Sequence, residues 1–133
     1  MYILAIADAS IGSKTAVNTE FGKNLVGSLY DPSLIIVNPV FLDSLDDRNF
    51  SNGMAEIIKM GMIRDEKLFS WLKKYSMEDL RKPSNSECLL EILKISMKNK
   101  LEVVENDRLE LDQRKILNFG HTLGHGIEFA SQE

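Results

Sequence analysis

The sequence predicts an α/β segment followed by an all-α segment, and three observations carry that prediction. Two short, almost wholly apolar runs lie in the first third, Tyr2-Ile3-Leu4-Ala5-Ile6-Ala7 and Leu34-Ile35-Ile36-Val37, each bounded by polar residues, glycine or proline. Such runs suit strands buried on both faces of a parallel sheet. From about Arg48 onward, apolar residues recur instead at three- and four-residue steps, the spacing of amphipathic helices. The change falls near Asp46-Asp47 and divides the chain into residues 1–46, α/β, and residues 47–133, helical. Two strands cannot cover their own edges, so the sheet is expected to be incomplete within these residues.

Taken in order, the first apolar run is expected to be a strand. A polar, glycine-bearing segment from Asp8 to Asp31 follows, and the second run is another strand. Helical pattern begins with Asn52-Gly53-Met54-Ala55-Glu56-Ile57-Ile58-Lys59 and runs to Ile63. Leu68, Phe69, Leu72 and Tyr75 predict a second helix over 66–75, and the methionines around Glu56 are expected in the core. Pro83-Ser84-Asn85 breaks the chain, and Ser86 is placed to cap a third helix to about Glu105, with Leu89, Leu90, Leu93 and Met97 on one side. Asp112 starts a last helix that is expected to continue past three glycines towards Glu133.

Composition excludes several functions. The 133 residues, 44% apolar and 27% charged, can bury one modest core or parts of two. Sixteen Lys and Arg against 20 Asp and Glu leave a net charge of −4, which gives no basic field for nucleic acid. The single cysteine, Cys88, cannot form an internal disulfide or a thiolate metal cage, and its place beside Leu89-Leu90 suits a buried thiol in a reducing compartment. The N-terminal apolar run is too short for a signal peptide and no stretch reaches membrane-spanning length, so a soluble, cytoplasmic protein is expected.

The last helix carries the most chemistry. At about 100° per residue, Ile116, Phe119, Leu123 and Ile127 form an apolar stripe. Arg114, Asn118, His121 and His125 fall within an arc of roughly 60° on the other side. Solvated faces favour Lys and Glu, whereas a guanidinium, an amide and two imidazoles suit an anion or a metal. Gly120, Gly124 and Gly126 each cost about 1 kcal/mol relative to Ala in a helix interior, which points to a close approach to that backbone. His121 and His125 can converge on one divalent cation, or one can bind metal while the other handles a proton. Glu56 is an available carboxylate partner; its ordinary alternative is a surface ion pair with Lys59. The segment Asp8-Ala9-Ser10-Ile11-Gly12-Ser13-Lys14-Thr15, followed by Gly22-Lys23-Asn24, offers backbone amides and ammonium groups to a phosphate, although it lacks the order of a Walker A loop. Its ordinary alternative is a solvated strand-to-helix loop.

Four stretches occur together in this order: Asp8-Ala9-Ser10-Ile11-Gly12-Ser13-Lys14-Thr15-Ala16-Val17-Asn18, Gly22-Lys23-Asn24-Leu25-Val26-Gly27, Gly53-Met54-Ala55-Glu56-Ile57-Ile58-Lys59 and Asn118-Phe119-Gly120-His121-Thr122-Leu123-Gly124-His125. Through them the chain resembles the 3-dehydroquinate synthase family over essentially its whole length. Asp8-Ala9-Ser10 and Phe119 are similar to the synthase portion of multifunctional arom polypeptides. The resemblance implies the last strands of a Rossmann-like nucleotide-binding domain (1–46) joined to the first part of a helical metal- and substrate-binding domain (47–133), truncated at both ends. It implies Glu56 and His121 as two of three ligands of a divalent metal, zinc with cobalt as the alternative. Around the substrate it implies Asp8, Lys14, Asn24, Lys59, Lys100, Glu110, Arg114, Asn118 and His125. Lys14 and Asn24 lie towards its phosphate, and Lys100 and Arg114 towards its carboxylate. Catalysis falls to Lys14, Glu56, Lys59, Arg114, Asn118 and His125, while Lys14, Lys23, Phe41, Leu42, Asp43 and Ser44 match positions that contact NAD.

The implied reaction converts 3-deoxy-D-arabino-heptulosonate 7-phosphate to 3-dehydroquinate and phosphate in the shikimate pathway, with catalytic NAD, in a homodimer. The family's glycine-rich pyrophosphate loop has no counterpart in these residues. Its third metal ligand lies in a His-Gly-Glu motif downstream of the paired histidines. The isolated chain is therefore expected to be inactive. Two local departures stand out: Ser13 replaces a usual glycine, which matters if the position needs a positive φ, and Asp107-Arg108-Leu109-Glu110 replaces a usual Asp-Glu-Arg-Glu run. The alternatives are another sugar-phosphate cyclase, a non-catalytic remnant acting as an interaction module, and a stand-alone metal-binding helical protein using Glu56, His121 and His125.

Overall fold

In a computed structural model, which describes residues 3–131, three of the apolar helix faces expected from sequence close on one core and a hairpin projects from it. Helix α1 (Asp47–Ile63) begins at Asp46, whose carboxylate accepts the Asn49 N–H at 2.9 Å. Its buried face carries Phe50, Gly53, Met54, Ile57, Met60 and Gly61. Asp65 caps α2 (Glu66–Leu72) through the Leu68 N–H at 2.9 Å, and a tight turn ends that helix three residues before the expected Tyr75. The short α3 (Met77–Arg81) has no periodic signal in the sequence. It is held by a reciprocal cap in which Ser76 accepts the Asp79 N–H and Asp79 accepts the Ser76 N–H. Ser76→Ala is expected to lower stability by about 1 kcal/mol, read as a shift of the urea midpoint at unchanged slope. Helix α4 (Ser86–Asn106) follows its expected span, with Asn85 as the flanking residue and Ser86 in the first turn.

The first apolar run is helical, which corrects the strand expected over 2–7; Tyr2 itself lies outside the described residues. Ile3 and Leu4 form an α turn that continues as a π-helix, Ala5–Ala9. Ile3, Ile6 and Ala7 are buried against α1 and α4, in the same core as Phe50, Met54, Ile92 and Leu93. A six-residue apolar run fits either period, and here the neighbours decide. Gly53 lets the run lie directly on α1, since a Cβ at that position would sit 2.3 Å from the Ile3 Cβ.

The second expected strand, 34–37, is irregular. Leu34 and Ile36 are exposed, and no strand pairs with this segment among the described residues; an unpaired run has no ladder to hold it. Instead the sheet forms inside the segment expected to be a polar loop. Strands β1 (Lys14–Thr19) and β2 (Gly22–Leu29) pair antiparallel, Lys14 opposite Leu29 and Val17 opposite Val26, with an irregularity at Asn18. Thr15, Val17 and Thr19 supply the β-branched alternation that suits such a ladder.

The last expected helix is broken in two. A 3-10 helix, Gln113–Asn118, is followed by Phe119 and by Gly120 at φ 83, and only then by α5 (His121–Ala130). A left-handed residue cannot continue a right-handed helix, so Gly120 rotates everything beyond it away from the stripe drawn through Arg114 and Asn118. No residue of α5 is buried, and Leu123, Ile127 and Phe129 are about three-quarters exposed. Among the described residues no helix is long and apolar enough to cross a membrane.

Candidate functional site

Lys100, on the buried face of α4, points at the π-helix and donates to both the carbonyl and the carboxylate of Asp8. Burial pushes its ammonium below the ordinary lysine value, while Asp8 and then Glu56 pull it back up and Arg114 pushes it further down. Those influences place Asp8, Glu56, Lys100 and Arg114 in one electrostatic neighbourhood. Glu56 is half-buried on α1 and paired with Lys59 three residues on, so the intrahelical pair considered from sequence does form.

Beyond α4 the chain is shaped by Asp107. Its carboxylate accepts the backbone N–H groups of Leu111 at 2.9 Å, Asp112 at 2.7 Å and Arg114 at 3.0 Å. Burial pushes this carboxyl up, and the converging N–H groups more than offset that and hold it below the usual range. The resulting loop turns Arg114 inward, 5% exposed, where Nη2 donates to the Gly12 carbonyl at 2.8 Å and Nη1 to the Arg108 carbonyl at 2.7 Å. Glu110, at φ 60, swings its carboxylate to Lys14 at the base of β1 and accepts the Asn118 amide at 2.7 Å. Asn118 Oδ1 in turn lies 3.1 Å from His121 Nδ1. Lys14, Glu110, Asn118 and His121 thus form one hydrogen-bonded chain, with Arg114 Nε 4.0 Å from Glu110.

Burial pushes Glu110 up, but Lys14, Asn118 and Arg114 together hold it below the ordinary glutamate value of 4.5. A carboxyl depressed in the folded state contributes stability above its unfolded pKa and loses it as pH falls through the folded one. Glu110→Gln is therefore expected to be less stable at pH 7, with the difference closing below pH 4.5, read by thermal melts across that window.

Other expected site residues stand apart from this chain. Asn24 lies exposed in β2 at φ 57, its N–H bonded to Asn18 at 3.1 Å, and the Lys23 side chain lies outside the described residues. Leu42 belongs to the core, which leaves only its main chain for a ligand, while Phe41, Asp43 and Ser44 are exposed around the 3-10 turn Pro39–Leu42. His125 is exposed on α5, its ring 5.6 Å from that of His121 and its Nδ1 3.4 Å from Glu128. Among the described residues no three His, Cys, Asp or Glu side chains gather to hold a metal. The donor chemistry of His121 nevertheless suits one. In the tautomer whose Nδ1–H donates to Asn118 Oδ1, Nε2 keeps its lone pair for an ion. Sequence reasoning misses Asp31 and the structural roles of Asp107 and Arg108; the signal for Asp107 is an Asp at a helix end, where such carboxylates gather backbone N–H groups.

The family description 3-dehydroquinate synthase N-terminal matches residues 2–52, and 3-dehydroquinate synthase C-terminal matches residues 53–133. Among curated proteins, the chain is 47% identical over 128 residues to a 3-dehydroquinate synthase of Synechocystis sp., covering 95% of this chain and 35% of that protein. It is 44% identical over 130 residues to one from Acidithiobacillus ferrooxidans, covering 97% and 35%. The chain spans about a third of the length of these relatives. Among solved structures, 2-epi-5-epi-valiolone synthase from Streptomyces hygroscopicus, with NAD+ and Zn2+ bound, superposes with a TM-score of 0.79 at 32% identity, over 90% of this chain and 33% of that one. A 2-deoxy-scyllo-inosose synthase complexed with carbaglucose-6-phosphate, NAD+ and Co2+ gives 0.76 at 30% identity, over 98% and 35%.

Proposed function

Because the chain belongs to the 3-dehydroquinate synthase family, we propose that it forms the central part of a polypeptide converting 3-deoxy-D-arabino-heptulosonate 7-phosphate to 3-dehydroquinate and phosphate. The observation that carries this reading is the continuous chain from Lys14 through Glu110 and Asn118 to His121, flanked by buried Arg114, whose charge also reaches Lys100. It joins Lys14 and Arg114 to a metal-competent imidazole, a combination that suits a substrate bearing both phosphate and carboxylate.

In this reading Lys14 and Asn24 bind the phosphate, and Lys100 and Arg114 the carboxylate. Arg114 is anchored by two carbonyls and therefore presents its charge without reorganising, which favours positioning. Asp8 holds Lys100, and Glu110 holds Lys14 and Asn118, until substrate oxygens replace them. Glu56 and His121 are two donors for a divalent metal, zinc or cobalt, which when bound supplies Lewis-acid polarisation of a substrate oxygen. Lys59 steadies Glu56, and His125, exposed on α5, meets substrate and carries a proton. NAD supplies the hydride chemistry that side chains cannot, with Lys14, Lys23, Phe41, Asp43, Ser44 and the Leu42 backbone as this chain's contribution to its binding.

The full polypeptide is a cytoplasmic homodimer with no nucleic-acid or membrane partner, its residues 1–46 closing the nucleotide-binding domain and 47–133 opening the helical one. The 133-residue chain alone is expected to show no turnover, because two metal donors are fewer than the three protein ligands of a catalytic zinc. Another sugar-phosphate cyclase is the second reading, favoured by the close superposition on the valiolone and inosose synthases.

The test is product analysis with the natural polypeptide that carries this sequence, purified and supplied with NAD+ and Zn2+. Formation of dehydroquinate and phosphate in equal amounts from the heptulosonate phosphate is expected. A valiolone- or inosose-type product from a different sugar phosphate would transfer the assignment to the second reading, and no product from any sugar phosphate would end both.

A further inference from the structure

We infer that Asp31, bridging Ser13 and Arg108, is a positioning latch that sets Lys14 and Arg114 for the anionic substrate; the inference rests on the binding roles proposed above for those two cations. Ser13 sits at φ 63, a left-handed conformation that a residue with a Cβ adopts only when its surroundings hold it there. What holds it is visible. The Ser13 carbonyl accepts the Tyr30 N–H at 2.8 Å, and its Oγ donates to Asp31 Oδ1. The second oxygen of Asp31 pairs with Arg108 Nη2, and the following Pro32 disfavours a helical backbone at Asp31.

The contacts close a ring. Arg108 offers its carbonyl to Arg114 Nη1, and Arg114 Nη2 reaches the carbonyl of Gly12, the residue bonded to Ser13. A half-exposed ion pair such as Asp31–Arg108 contributes little on its own. Inside this ring it decides whether the 12–14 backbone faces Arg114 and whether Lys14 leaves Ser13 towards Glu110. Ser13 and Arg108, 95 positions apart, thus meet on this one carboxylate. Glycine would hold the same φ at no steric cost, so the latch is what a serine at this position requires.

This makes the effect of Asp31 conditional on residue 13, a dependence that a surface salt bridge would not show. The experiment compares Asp31→Ala, Ser13→Gly and the double variant in the natural polypeptide, by amide hydrogen exchange over residues 12–15 and by KM and kcat for the heptulosonate phosphate. Asp31→Ala is expected to speed that exchange about tenfold and to raise KM about tenfold with kcat within about twofold. In the Ser13→Gly background both effects are expected to fall below about twofold. Unchanged exchange, or equal changes in the two backgrounds, would overturn the latch. Coupled exchange without turnover of any sugar phosphate would sustain the latch and remove the functional reading instead. Should Asp31→Ala fail to fold, Asp31→Asn, which keeps an acceptor for Ser13 but loses the charge facing Arg108, provides the same comparison with a smaller expected shift.

Discussion

Lys100→Met in the natural polypeptide is expected to abolish turnover, lowering kcat/KM by on the order of a thousandfold, while the fold survives. The methionine keeps the buried stem of the lysine and removes only its ammonium. A substrate carboxylate brought to this position would then be desolvated without its charged donor, at about 3–5 kcal/mol, and each 1.4 kcal/mol is tenfold. Stability is expected to move by no more than about 1 kcal/mol, because two terms oppose: the burial cost of the ammonium disappears, and Asp8 loses its donor but keeps contact with water. The pH dependence separates these terms. Burial holds the Lys100 ammonium below the ordinary value of 10.5, so between its folded pKa and 10.5 the unfolded chain binds more protons and stability rises with pH. The variant should lack that rise in alkaline denaturation curves. A variant that keeps parental kcat/KM would remove Lys100 from the substrate site.

Gly53→Ala is expected to destabilise the protein by about 2 kcal/mol or more, against the direction that helix propensity gives. In an open helix interior, alanine gains about 1 kcal/mol over glycine. Here the new methyl carbon would meet the Ile3 Cβ at 2.3 Å, its Cγ2 at 2.6 Å and the Leu4 nitrogen at 2.7 Å. No rotamer change relieves contact with a backbone atom, so the π-helical segment must lift from α1. Overpacking of this kind costs about 1–3 kcal/mol, and re-exposing Ile3 and Ile6 adds about 1.5–3 kcal/mol for each. Urea denaturation measures the outcome, and a variant more stable than its parent would show that residues 3–9 do not rest on Gly53.

These two positions show what was legible in the sequence and what was not. Motif and spacing name Glu56, Lys59, His121 and Arg114 as candidates, and apolar steps place α1 and α4. The segment 3–7 departs from the expected strand because six apolar residues satisfy a period of two and of 3.6 equally, and the arbiter, Gly53, lies some fifty residues on. Asn, Lys and Gly masked the hairpin, whose alternating Thr15, Val17 and Thr19 were the usable signal. The helix cost of Gly120 points from sequence to a close neighbour, whereas no atom lies within 4 Å of its Cβ position and its left-handed φ ends one helix and frees the direction of the next. The joint role of Asp31 and Arg108 is not legible in the sequence for a further reason. Each is an ordinary charged residue, and its role exists only through a partner 18 or 77 positions away.

The Asp107 loop carries a consequence for sequence change. Its carboxylate takes hold of main-chain N–H groups at 111, 112 and 114, donors that every amino acid except proline supplies. The loop shape is thereby decoupled from the identities of Leu111 and Asp112, whose side chains are exposed. A saturation library over these positions should tolerate all residues but proline at 111 and 112. At 107 it should accept little beyond Asp, with Asn a weaker substitute. One invariant carboxylate would then leave its neighbours free to drift while Arg114 stays in place.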